Sequence, residues 1–152
     1  MRTLTSFLLA TSIVVFSCKS PDSKQQPQPE VYTTGEGAVG GYDVVAYFTN
    51  NQPVKGDSAI TAEWNGAVWH FASEENKNAF VASPEKYVPQ YGGYCAFGMS
   101  RGYKAPTLPE AWTIVDNKLF LNYNLEVRDT WKTDTNGYIE KADKNWPEAK
   151  SK

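Results

Sequence analysis

The sequence predicts an α+β fold: a small antiparallel sheet built from hairpins, with several short helices. Three observations carry this expectation. Asn65-Gly66 and Asp116-Asn117 each stand between short strand-like runs, and residues of this kind tolerate the positive φ that a tight hairpin turn needs. Helix starts at Ser73 and Asn124 are interspersed with those hairpins, so the strands are joined by turns and not by long crossovers. The chain has 152 residues, 41% hydrophobic and 21% charged, which is enough apolar material for one folded domain.

In chain order, Val44, Ala46 and Phe48 alternate across Asp43 to Phe48 and are expected to form a half-buried strand, turned by Asn50-Asn51. Ile60, Ala62 and Trp64 alternate up to Asn65-Gly66, and Ala67 to Phe71 is the return strand. Ser73 caps a helix with Glu74 and Glu75 in its first turn, and that helix ends near Ala82, before Pro84. Ser83 to Tyr87 reads as a helical turn with proline at its first position. Thr113 to Val115 and Lys118 to Asn122 form the second hairpin. Asn124 begins one helix, and Tyr138, Ile139, Ala142 and Trp146 recur at the spacing of a last one. Aromatic residues make up 14% of the chain, so the core is expected to rest on rings.

A formal net charge of -2 gives no electrostatic reason for a nucleic-acid partner. Two cysteines and one histidine exclude a zinc-finger array or a disulfide-stapled miniprotein. Residues 1–17 read as a signal peptide, with Arg2 before the uncharged run Phe7 to Phe16, which is too short to span a bilayer as a helix. The run ends Val15-Phe16-Ser17-Cys18 and resembles the bacterial lipobox, although Phe16 stands where a small residue is usual. That resemblance implies cleavage before Cys18, acylation of its N-terminal cysteine, and a place in the bacterial cell envelope, periplasmic or surface-facing. Residues 18–36 are then the lipidated cysteine and a flexible polar tether, and residues 37–152 the domain. The membrane is the partner reached through acylated Cys18; a protein partner is not specified.

With Cys18 carrying lipid, Cys95 has no intramolecular partner in an oxidising compartment. Three roles are open to it: a buried thiol, a metal ligand or a reactive group. Cys95 and Met99 are one helical turn apart and form a soft pair suited to copper, to which His70 could add an imidazole. No Cys-x-x-Cys pair, phosphate loop or His-Glu-x-x-His motif is present, so no catalytic role is expected. A third class is binding without metal, through a surface of Tyr91, Tyr94, Tyr103 and Trp112, with Tyr87 beside them. The alternative for these rings is that they are the core.

Gly41-Tyr42-Asp43-Val44-Val45-Ala46-Tyr47-Phe48, Trp69-His70-Phe71-Ala72-Ser73-Glu74-Glu75-Asn76 and Ser83-Pro84-Glu85-Lys86-Tyr87 together resemble YHS-domain proteins. Pro89 to Ala96, Leu119 to Tyr123 and Ala142 to Pro147 extend the likeness to the family's longer exported branch, over roughly Val39 to Pro147. The resemblance implies a small metal-associated module of the kind found beside copper-transporting pumps. Shorter members carry cysteines after the opening Asp and after the second strand. The corresponding positions here are Ala46, Ala72 and Asn76, none of which supplies a thiolate. Copper on a replacement site is one expectation; the other is a domain without the family's ligands that works through its aromatic surface or a pocket.

Overall fold

The computed structural model describes residues 29–152, so the expected signal peptide, Cys18 and most of the expected tether lie outside the described residues. The elements are β1 (Thr33–Thr34), β2 (Gly37–Ala38), α1 (Ala46–Thr49), β3 (Asp57–Trp64), β4 (Ala67–Phe71), α2 (Glu74–Ala82) and α3 (Pro84–Tyr87). They continue with α4 (Ala96–Ser100), β5 (Leu108–Val115), β6 (Lys118–Asn122), α5 (Leu125–Lys132) and α6 (Thr135–Lys150). The α+β class and the hairpin connections are as the sequence predicts. The strands form three separate antiparallel ladders, β1-β2, β3-β4 and β5-β6, among the described residues.

Local chemistry explains most of these elements. Asn65 and Gly66 take φ of 50° and 72°, the left-handed pair that lets Trp64 face Ala67 across the tightest turn. Asp116 and Asn117 do the same at 49° and 57° between Val115 and Lys118. Side-chain oxygens of Ser73, Asn124 and Asp134 accept the backbone N–H three residues on, which starts α2, α5 and α6.

β6 organises the packing. Leu119 and Leu121 belong to a core with Trp69, Phe71, Phe80, Val44 and Tyr47. Phe120, pointing the other way, belongs to a second core with Tyr91, Met99, Trp131 and Ala142. A strand covered on both faces reads as a continuous apolar run, which Leu119-Phe120-Leu121 is. α6 closes the second core, anchored where Asn145 Nδ2 donates to the carbonyls of Met99 and Ser100.

Two sequence expectations are corrected. Asp43 to Phe48 is not a strand: the backbone turns at Asp43 and enters α1, and Asp43 to Tyr47 are all buried. Two-residue alternation cannot report burial on every side. The fold also begins before Gly37. Val31 is in the first core, Tyr32 N–H donates to Gly92 O at 2.8 Å, and β1 pairs with β2. Gly92 makes this possible, because a Cβ there would lie 1.9 Å from Glu30 O and its φ is +63°. No helix among the described residues is long and apolar enough to cross a membrane.

Candidate functional site

Asp43 is fully buried, and its carboxylate is the centre of a polar node. Oδ1 accepts the N–H of Val45 at 2.9 Å and of Ala46 at 3.3 Å; Oδ2 accepts Ala72 N–H at 2.8 Å and Asn76 Nδ2 at 2.7 Å. These donors come from the start of α1, the end of β4 and the first turn of α2. The fold therefore gathers Ala46, Ala72 and Asn76, the positions where the YHS resemblance implies thiolates, around one carboxylate. They do not fit a metal. Two are alanines, the third presents an amide donor, and a carboxylate that already accepts four N–H groups has no lone pair left for an ion.

Cys95 and Met99 come out one turn apart, as their spacing predicts, with Met99 N–H on Cys95 O at 2.8 Å. Cys95 is 2% exposed, and its sulfur already has partners. It accepts Gly98 N–H at 3.4 Å as the cap of α4, and the thiol donates to Asn122 Oδ1 at 3.7 Å. Met99 is fully buried in the second core, where it fills space among rings. His70 is placed elsewhere, on β4, with its ring against the β1-β2 hairpin; a Cβ at Gly37 or Gly41 would lie 3.0 or 3.2 Å from its ring nitrogens. Among the described residues, no group of three or more His, Cys, Asp or Glu side chains is placed to hold a metal ion.

One motif was missed in the sequence. Gly98-Met99-Ser100-Arg101-Gly102 fits the Gly-x-Ser-x-Gly pattern of hydrolase nucleophiles. That motif needs a sharp turn from strand to helix with the hydroxyl exposed. Ser100 instead ends α4, is 8% exposed, and donates its hydroxyl to Phe97 O at 2.6 Å. The pattern is the end of a short helix.

The four rings expected to form a surface go to four places. Tyr91 is buried in the second core, its hydroxyl on Asp143 Oδ1 at 2.9 Å, and burial reinforced by that carboxylate pushes its ionisation well above the ordinary tyrosine range. Trp112 is half-buried against Tyr47 at 5.5 Å between centroids. Tyr103 is exposed and lies over Gly98. Tyr94 is buried beneath Tyr32, and its hydroxyl donates to Pro29 O at 2.8 Å.

Two recesses flank the segment at Pro29 to Thr33. The first, about 250 Å³, is lined by Tyr32, Tyr94, Pro29, Thr33, Lys104 and Pro106. The Lys104 ammonium lies 5.3 Å from the centre of the Tyr94 ring and donates to Pro29 O, and burial lowers its pKa against the opposing pull of Glu30. The second, about 160 Å³, lies between the β3-β4 turn and α6 and is lined by Trp64, Trp69, Tyr91 and Trp146, with Glu30 among the lining residues. Sequence reasoning missed it because its walls come from residues up to 116 positions apart, Glu30 and Trp146.

No curated protein and no solved structure matches the chain. The family model for the YHS domain matches residues 45–91. That stretch runs from the start of α1 to Tyr91, includes Ala46, Ala72 and Asn76, and stops short of Cys95, Met99 and the second hairpin. A YHS domain thus covers residues 45–91 of this chain.

Proposed function

We propose that this protein is a non-catalytic binding module, held at a bacterial envelope membrane by acylated Cys18, that uses aromatic recesses and not a metal. The observation that carries the reading is the Asp43 node. Where the YHS resemblance implies a metal, backbone and amide N–H groups satisfy the carboxylate from every side. Rings and mixed polar groups meanwhile line two recesses beside the opening segment, the surroundings expected of a small-ligand site. Residues 1–17 serve as the signal peptide and the polar stretch after Cys18 as the leash, in keeping with the resemblance of Pro89 to Ala96, Leu119 to Tyr123 and Ala142 to Pro147 to the longer exported YHS proteins.

The test is Cu(I) titration of the purified protein under anaerobic reducing conditions against a competing chelator, with C95S in parallel. The expected result is no stoichiometric uptake by either protein. One equivalent retained by the parent and lost in C95S would overturn the metal-free reading and return copper to Cys95 and Met99. Anchoring is tested separately: C18A should move the protein from the membrane fraction to the soluble one.

A further inference from the structure

The recess between the β3-β4 turn and α6 has the walls of an aromatic cage. Trp64 and Trp69 meet at 64° with centroids 6.3 Å apart, and Tyr91 and Trp146 meet at 68° and 6.1 Å. Both pairs are steeply angled, all four rings are among the residues lining the space, and Phe80 backs Trp64 and Trp69 at 6.4 and 5.4 Å. The inner two are fixed: Trp69 is 1% exposed with its indole N–H on Trp64 O, and Tyr91 is 5% exposed with its hydroxyl on Asp143. Trp64 and Trp146 are half-buried and stand at the mouth.

Charge selects among occupants. Aromatic faces are negative, so they favour a cation and disfavour an anion. Glu30 adds a carboxylate, held below its ordinary range by the Lys150 hydrogen bond foremost, with help from Asn65. Because Glu30 accepts Lys150 at 2.7 Å, it offers an approaching cation a field more than a hydrogen bond. A primary ammonium surrenders strong hydration on entering such a place and needs acceptors in return. A quaternary ammonium is weakly hydrated and donates no hydrogen bond, so rings suffice. The volume agrees: about 160 Å³, at roughly 30 Å³ per water-sized group, holds about five heavy atoms, the size of a tetramethylammonium head.

We propose that this recess binds a small quaternary ammonium group, with Trp64, Trp69, Tyr91 and Trp146 as the cage and Glu30 as the rim anion. The proposal rests on the reading of the protein as a binding module and names its ligand class.

The test titrates the purified full chain with choline chloride, and separately with 3,3-dimethylbutan-1-ol, its uncharged isostere, at constant ionic strength. Indole N–H resonances and tryptophan fluorescence are the readouts. Choline should saturate with shifts at Trp64 and Trp146, and the isostere should bind about tenfold more weakly or worse, the loss of one or two ring-cation contacts. W146L should weaken choline by about tenfold. E30Q, at a half-exposed position that leaves the fold intact, should weaken it about threefold, and K150M, which removes the competing cation, should strengthen it by a similar factor. Equal binding of the two compounds would overturn the cation assignment and leave a binding module with an apolar recess. Shifts at Tyr94 or elsewhere would overturn the site. No saturation by either compound up to about 100 mM would overturn the inference outright. The Cu(I) titration still judges the metal-free reading by itself.

Discussion

Asp43→Asn separates a structural node from a vestige. The carboxylate accepts two N–H groups on each oxygen. Asparagine keeps one oxygen and replaces the other with NH2. In either orientation two donors lose their acceptor and face another donor: the start of α1 in one, Ala72 and Asn76 in the other. Hydrogen bonds to a charged group contribute about 1.5–3 kcal/mol each, so the loss is about 3–6 kcal/mol. That is a large part of the roughly 5–15 kcal/mol that holds a domain folded. Urea unfolding followed by tryptophan fluorescence measures it, because Trp69 lies in the same core. At a slope of about 2 kcal/mol per molar the midpoint should fall by about 1.5–3 M with the slope unchanged. Asn76→Ala removes only one of the four donors and leaves the Ser73 cap in place, so it should cost about 1–2 kcal/mol. If D43N unfolds within about 1 kcal/mol of the parent, the node does not hold α1, β4 and α2 together, and the argument against a metal there loses its basis.

Gly92→Ala should detach the opening segment, because the new Cβ would collide with Glu30 O and the residue has positive φ; a cost above about 2 kcal/mol and faster proteolysis before Val39 are expected. Stability should also fall above about pH 10. Tyr47 and Tyr91 have ionisations raised chiefly by burial, so the folded state keeps protons that the unfolded state releases, and each costs about 1.4 kcal/mol per pH unit until its folded pKa is reached. Chemical denaturation at pH 8, 10 and 11 checks this, and a flat profile would refute it. Cys95 should react with a thiol reagent at least about a hundredfold more slowly in the native protein than in urea, since its sulfur is enclosed and engaged. A rate near that of a free thiol would place it on an accessible surface.

What the sequence made legible is local. The Asn65-Gly66 turn, the Ser73 and Asn124 caps and the proline at the start of α3 each act within a few residues, and each stands where expected. Most of the failures are long-range. Val44-Ala46-Phe48 has a strand's alternation, but the conformation there follows from Asp43 bonding to Ala72 and Asn76, 29 and 33 residues away. The polar run before Gly37 resembles a leash by composition, yet Tyr32 is fixed by the backbone of Gly92. Cys95 caps a helix with sulfur, outside the oxygen-bearing residues that usually mark a cap. Spacing did place Cys95 and Met99 on one turn. It could not say that the turn faces a packed core.

The same distinction bears on where function lies. The stretch matched by the YHS model, residues 45–91, supplies all four N–H groups that satisfy the carboxylate of Asp43, which stands two residues before it. The recesses, by contrast, are composite. Trp64, Trp69 and Tyr91 from the matched stretch meet Glu30 from before it and Trp146 from after it. Tyr94 and Lys104 meet Pro29 and Tyr32 in the other recess. The segment at 29–33 divides the two recesses and passes directly over Gly92, with Tyr94 and Lys104 holding Pro29 and Lys150 holding Glu30. A change at Gly92 therefore acts on both recesses while leaving the Asp43 node untouched, whereas a change at Asp43 acts on the framework that carries them. Ligand binding lost in G92A at temperatures where the protein stays folded would tie binding to the composite walls and not to the YHS domain alone.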